Sequence, residues 1–195
     1  MPKPKTELYI GAGDTLTNSM RWMCLILSIH QDVQQKCFTE LDACCEVRQK
    51  YDEKLCPYVQ ATLEEVFRFR PVSDSLPHLT ATDVEIDGVQ IKKGTVIMGS
   101  FTAIQHDPNN FENPSLFKPE RFLSNGRFVR NPKVCLFGVG PRNCVGKKLA
   151  QMEFFSFASH ILHKLRLVHV RGDLNPAEHS NLLKPGDFRV QFVPR

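Results

Sequence analysis

Apolar positions keep a helical period over four stretches of the chain and a strand period over two others. Residues 9–30 place Trp22, Leu25, Ile26 and Ile29 along one side, which predicts a buried helix. Residues 32–51 carry Val33, Cys37, Leu41 and Cys44 on one face, with Asp32 positioned to cap the start. Pro57 opens a third helix, PYVQATLEEVFRFR, and Pro71 stops it. A proline suits a first helical turn and turns the preceding residue away from helix. The period then shortens: Val84, Ile86, Val89 and Ile91 alternate around Asp87-Gly88, a hairpin dipeptide, and GTVIMGSF predicts a further strand. Residues 106–132 are rich in Asn, Pro and Phe, an ordered loop whose aromatic rings need burial. A last helix over 143–165 presents Leu149, Met152, Phe155, Ile161 and Leu162, and FRVQFVPR closes the chain as β. The fold class is mainly α with small β-sheets (α+β).

Length and composition narrow the function more than the fold. At 195 residues and 42% hydrophobic content, residues 1–195 suit one domain with a real core. The net charge of +4 comes from scattered basic residues, which argues against a nucleic-acid partner. Seven cysteines, none paired as C-x-x-C and none behind a secretory signal, point to a reducing compartment and mostly free thiols. The spacing of Cys37, Cys44 and Cys45 matches no tetrahedral zinc pattern, and adjacent Cys44 and Cys45 face opposite ways on a helix. The longest apolar run, MCLILSI, is too short to cross a bilayer. The polar MPKPKTE gives way at once to a mid-helix pattern, so an upstream portion is expected to be missing.

The chemistry concentrates in FGVGPRNCVG, residues 137–146. A cysteine at a helix start meets unpaired backbone N–H groups and the positive end of the helix dipole, both of which favour thiolate. Gly138, Gly140 and Gly146 let the backbone approach something flat and large, and Arg142 adds a fixed charge beside Cys144. A heme iron with a cysteine axial ligand requires this set. The loop breaks both G-x-G-x-x-G and the phosphate-loop pattern, and no histidine lies near Cys144 in sequence to make it a catalytic nucleophile. A structural cysteine in a glycine-rich turn is the plain alternative.

Phe137-Gly138-x-Gly140-x-Arg142-x-Cys144-x-Gly146 resembles the heme-binding signature of the cytochrome P450 monooxygenases. Three further motifs occur in that family's order. GAGDTLT resembles its oxygen-activating stretch, with Ala12 and Leu16 where a glycine and a second hydroxyl residue are usual; Glu65-x-x-Arg68 resembles its K-helix motif, and FKPERF its PERF segment. The resemblance implies the C-terminal part of the P450 fold, beginning inside the I helix. It implies heme b, with Cys144 as the axial ligand of the metal, cradled by Phe137 and Gly146, and with Arg142 and His78 on the propionates. Asp14 and Thr15 become the proton-relay pair, and Glu65, Arg68 and Arg121 a buried ion network. Val72 to Leu76 and the turn Lys184-Pro185-Gly186 become substrate-facing.

The implied reaction is insertion of one oxygen atom of dioxygen into a small apolar substrate. An NADPH-dependent reductase would donate electrons, docking near Lys147 and Lys148, at the endoplasmic reticulum membrane, although the sequence holds no membrane anchor. The first and third helices are expected to expose faces that neighbours in the family cover. Two outcomes follow for this chain: a portion of such an enzyme, or a non-catalytic truncated product that binds heme weakly or serves as an interaction fragment.

Overall fold

The computed structural model describes the backbone of residues 4–48, 51–176 and 182–195, and the side chains of 11–45, 51–176 and 182–195. Helices α1 (Pro4–Ile29) and α2 (Gln31–Arg48) follow one another with only His30 between them. Helix α3 (Pro57–Phe69) comes next, then β1 (Ser75–Leu79), β2 (Val84–Ile86), β3 (Val89–Ile91), β4 (Val96–Ser100) and a short α4 (Phe101–His106). The loop region that follows holds β5 (Leu123–Ser124) and β6 (Arg127–Phe128); α5 (Lys147–Lys164), β7 (Leu165–Arg171) and β8 (Arg189–Pro194) complete the order. The strands form four antiparallel pairs, β1–β4, β2–β3, β5–β6 and β7–β8, so every pair has two free edges within the described residues.

The expected helices, the Asp87-Gly88 hairpin and the closing strand are all present. Several elements lay outside the sequence reading. Strand β1 was masked by Pro77, which sits where a strand neighbour on one side is absent. Strand β7 continues directly from α5 with no loop, so its pattern merged with the helix. The turn at Asn125-Gly126, with both residues at positive φ, closes β5–β6 inside the stretch expected to be loop.

Helix α3 occupies the centre, against the expectation of an exposed face. Every residue from Ala61 to Phe69 is buried, because α2, α5, α4 and the 117–128 segment surround it. Its first turn lacks a side-chain cap from its own N-cap residue, Cys56. Glu40 of α2 supplies one instead, accepting from the N–H of Tyr58 at 2.9 Å and of Val59 at 2.8 Å. Helix α1 does divide as expected: residues 18–27 enter the core, whereas most of 11–17 is exposed.

A buried amide fixes the last sheet. Gln34 accepts from Leu167 N–H at 2.8 Å and donates to Leu167 C=O at 3.0 Å, so it stands in for a neighbouring strand at the free edge of β7. Trp22 donates its indole N–H to Leu183 C=O at 2.6 Å and ties the chain before β8 to α1.

Burial also leaves a measurable imprint on pH dependence. Glu64 lies 3.6 Å from Arg130, yet desolvation outweighs Arg130 and Lys147 and pushes its carboxyl from 4.5 up to about 7. As pH rises through that window the unfolded chain releases its proton first, so stability falls, by about 3 kcal/mol when the folded group finally ionises. Glu64→Gln is expected to flatten the stability profile across this window and to raise the melting temperature on its alkaline side. Thermal unfolding against pH checks this; a wild-type profile that rises between 4.5 and 7 with no change in E64Q would reject it.

Candidate active site

The cysteine loop is built by backbone hydrogen bonds that turn the chain back on itself. Gly138 N–H donates to Cys135 C=O at 2.8 Å, Asn143 N–H to Gly140 C=O at 3.1 Å, and Cys144 N–H to Phe137 C=O at 2.7 Å. Gly138 at φ +73° and Gly140 at φ +72° supply the left-handed backbone that these closures need. A single 3₁₀ turn, Gly140–Arg142, precedes the cysteine, and α5 starts only at Lys147, four residues later than the 143 expected. The cysteine therefore stands in the turn ahead of α5, at the positive end of the helix.

Cys144 is exposed, and its sulfur meets no hydrogen-bond donor among the described residues. Val145 is 92% exposed and Val139 75%. Leu149 and Met152, expected on the buried face of α5, are exposed as well; the buried face is Phe154, Phe155, Ala158 and Leu162. Leu149 and Met152, three apart, share one face of the first turns of α5, and exposed Val145 precedes them in the turn beside the cysteine, so apolar side chains stand bare on both sides of the helix start. Underneath, the Phe137 ring meets Phe67 edge to face at 5.7 Å, and Phe67 packs on Phe154 at 4.7 Å. Lys147 Nζ stands 5.8 Å over the Phe137 ring.

A buried ion network holds the loop from behind. Glu65 accepts from Arg68 Nε at 2.7 Å and Nη2 at 2.9 Å, from Arg121 Nε at 3.1 Å and from Lys118 N–H at 2.8 Å. Glu65 and Arg68 are fully buried. Arg68 donates onward to Gln105 C=O at 2.9 Å and Leu116 C=O at 3.2 Å. The Gln105 side chain then accepts from Cys135 N–H at 3.2 Å. A chain of contacts thus runs from the ion pair to the residue on which the Gly138 turn closes. Phe67 and Gln105 were missed from sequence: Phe67 read as one more core aromatic, and nothing marked Gln105.

The remaining predicted residues divide into two groups. Phe137, Arg142, Cys144 and Gly146 come together in the loop, with Arg142 exposed and outside any ion pair among the described residues. His78 is exposed on β1, opposite Ile97 of β4. It lies on the same strand face as Leu76, whose methyl would stand 3.3 Å from a Cβ at Gly138, so β1 abuts the loop. Asp14 and Thr15 stand apart on α1, with no hydrogen bond to the loop; Thr15 Oγ1 donates to Gly11 C=O at 2.7 Å. The space beside Gly11 and Gly13 is open. A groove of about 520 Å³ between α1, α5 and β8 does not include Cys144, which lies on an open face.

The family model of cytochrome P450 matches residues 5–192. The chain belongs to the cytochrome P450 family. Cytochrome P450 2D14 of Bos taurus is 32% identical over 197 residues, covering 97% of this chain and 39% of that protein. A steroid 17-alpha-hydroxylase/17,20 lyase of Ictalurus punctatus is 37% identical, covering 95% of this chain and 36% of that protein. Zebrafish cytochrome P450 structures solved with abiraterone and with progesterone superpose with TM-scores of 0.86 and 0.88 at 32% and 33% identity. Each covers 97% of this chain, which spans 47% and 44% of those chains. The chain therefore spans less than half the length of these relatives, and its structure is part of the P450 fold. Among the described residues no helix is long and apolar enough to cross a membrane.

The loop fits a heme on its own evidence. An exposed thiol at a helix start, bare apolar side chains beside it and an unpaired arginine supply, in one place, a soft ligand, an apolar support and a countercharge for carboxylates.

The geometry ranks two substitutions. Glu65→Gln leaves buried Arg68 and partly buried Arg121 without their carboxylate and is expected to cost about 3–5 kcal/mol. Gly138→Ala forces a Cβ onto left-handed backbone against Leu76 and is expected to cost about 1–2 kcal/mol. Denaturant unfolding gives the ranking, and hydrogen exchange at the Gly138 and Cys144 amides is expected to speed up in G138A below the unfolding transition. Equal destabilisation, or unchanged exchange, would show that the loop does not depend on this geometry.

Proposed function

We propose that this chain is part of a heme-thiolate monooxygenase that inserts one oxygen atom of dioxygen into a small apolar substrate. The observation that carries it is the exposed Cys144 thiol, held by two left-handed glycines at the start of α5 and braced by the buried Glu65–Arg68 pair. Steroid-named relatives support an apolar substrate of that size.

Heme b, when bound, supplies the iron at which dioxygen is activated, with electrons from an NADPH-dependent reductase at the endoplasmic reticulum membrane. The chain's own residues do the rest. Cys144 would supply the sulfur ligand, and Gly138 and Gly140 give the left-handed backbone that presents its thiol on an open face. Arg142 and His78 would hold the propionates, and Phe137, seated on Phe67, anchors the loop from below. Gly146, whose Cβ position lies 3.9 Å from the Cys144 sulfur, is the N-cap of α5 and would border the bound group beside the cysteine. Thr15 Oγ1 spends its proton on Gly11 C=O, which leaves its lone pairs free to accept, and exposed Asp14 passes protons in from water. Lys147 and Lys148 present charge for an acidic reductase surface.

The test is the absorption spectrum of the purified chain reconstituted with heme, reduced and exposed to carbon monoxide, beside Cys144→Ser. A red-shifted, thiolate-type Soret band that the variant loses is expected. Absence of the band in folded protein, or its persistence in C144S, would overturn the assignment of Cys144.

A further inference from the structure

The far end of α5 brings a second thiol against a base, roughly 24 Å along the helix from Lys147. Cys45, half-buried on α2, places its sulfur 4.0 Å from His163 Nδ1. His163 Nε2 lies 3.1 Å from Asp42 Oδ1. Tyr51 Oη lies 2.9 Å from the same Nδ1. The ring is sandwiched between Phe38, stacked at 5.9 Å, and Tyr51, edge-on at 5.5 Å.

These contacts suit one arrangement of the protons. Burial first, and the neighbouring Cys45 sulfur second, push the Tyr51 hydroxyl up to about 12, so the phenol keeps its proton and donates it. In the tautomer with Nε2–H facing the Asp42 carboxylate, Nδ1 is the acceptor for the Tyr51 hydroxyl. Tyr51 and Cys45 compete for one lone pair, and Tyr51 holds the shorter contact.

The other cysteines do not share this setting. Cys24 and Cys37 are buried, their thiols pushed up to about 12, and neither meets an imidazole among the described residues. Burial also raises Cys56 and Cys135. Cys45 combines partial exposure with an imidazole whose other nitrogen is anchored on a carboxylate.

We propose that Cys45, His163 and Asp42 form a thiol-modification site for soft, flat electrophiles of the enone class. Phe38 stacks on His163, and Tyr51 lies edge-on to both His163 and His160, so the base beside the thiol sits among aromatic rings that suit a conjugated plane. The Cys45 sulfur forms a bond to the electrophile's β-carbon while Nδ1 takes the thiol proton. The C=C electron pair moves to the enolate, and the proton on Nδ1 then goes to the enolate carbon, restoring neutral imidazole. Asp42 stabilises the imidazolium between those two transfers. Tyr51 is a positioning residue that withholds the base until it yields the lone pair.

The experiment is peptide-resolved alkylation of the intact folded chain with limiting N-ethylmaleimide. Cys45 is expected to react about tenfold or more faster than Cys24 and Cys37, and His163→Gln to slow it about tenfold. Asp42→Asn is expected to slow it several-fold. Tyr51→Phe, which keeps the ring packing and frees Nδ1, is expected to accelerate it several-fold. Cys144 reports in a separate peptide, and its rate should not respond to any of the three substitutions. A Cys45 rate equal to the buried thiols, or unmoved by both H163Q and Y51F, would overturn the proposal. If H163Q fails to fold, a Y51F rate at or below wild type overturns it alone. The same series in a C144S background separates this site from the heme assignment.

Discussion

The carboxylate of Glu65 is the point on which the rest of the structure hangs. It lies in the middle of a helix that is buried on all sides, and it is shared by two guanidinium groups and one backbone amide. A lone charge there would be prohibitively costly, so the fold must bring the arginines to it. One comes from the same helix, three residues on. The other, Arg121, comes from a segment with little regular structure of its own, and Lys118 N–H comes with it. The pair's contribution lies less in net stability than in place: ordering the carboxylate orders the 105–121 segment around α3.

From that point the order propagates outward to the cysteine. Arg68 fixes Gln105, Gln105 fixes Cys135, and the Gly138 turn closes on Cys135. Each step is a hydrogen bond to backbone, which tolerates little displacement. The loop itself is short of side-chain packing apart from Phe137, so without this support its two left-handed glycines would leave it mobile. A rigid thiol on an open face is thus a product of buried charge some distance away.

The sequence displayed the parts whose signal is local. Helix positions, the proline at the start of α3 and the Asp87-Gly88 turn are decided within a few residues, and the structure has them where they were expected. What stayed hidden depends on partners distant in the chain. Gln34 serves as a mock strand for Leu167, 133 residues away, and looks like any glutamine on a polar helix. Strand β1 is a strand because β4 pairs with it, despite Pro77. The exposed start of α5 misled for a related reason: periodicity reports that a face is apolar and cannot say whether anything covers it. Glu65 and Arg68 were legible as a pair at i,i+3 spacing, but their burial was not, since it follows from how completely α3 is surrounded.

Seven thiols in one chain show how position, rather than residue type, sets cysteine chemistry. Cys24 and Cys37 are core residues, and desolvation makes their ionisation so costly that they behave as small apolar side chains. Cys144 differs because the backbone around it does what no side chain does: two left-handed glycines raise it to the surface ahead of α5. Cys45 differs for a third reason, an imidazole from another helix whose orientation is set by Asp42. Burial suppresses ionisation, a glycine turn exposes a thiol, and a neighbouring base makes a thiolate only at the moment of reaction. The three settings require different surroundings, and a fold with one buried central helix has room for all of them: a core around that helix, one end of α5 for the first kind of reactive thiol, and the other end for the second.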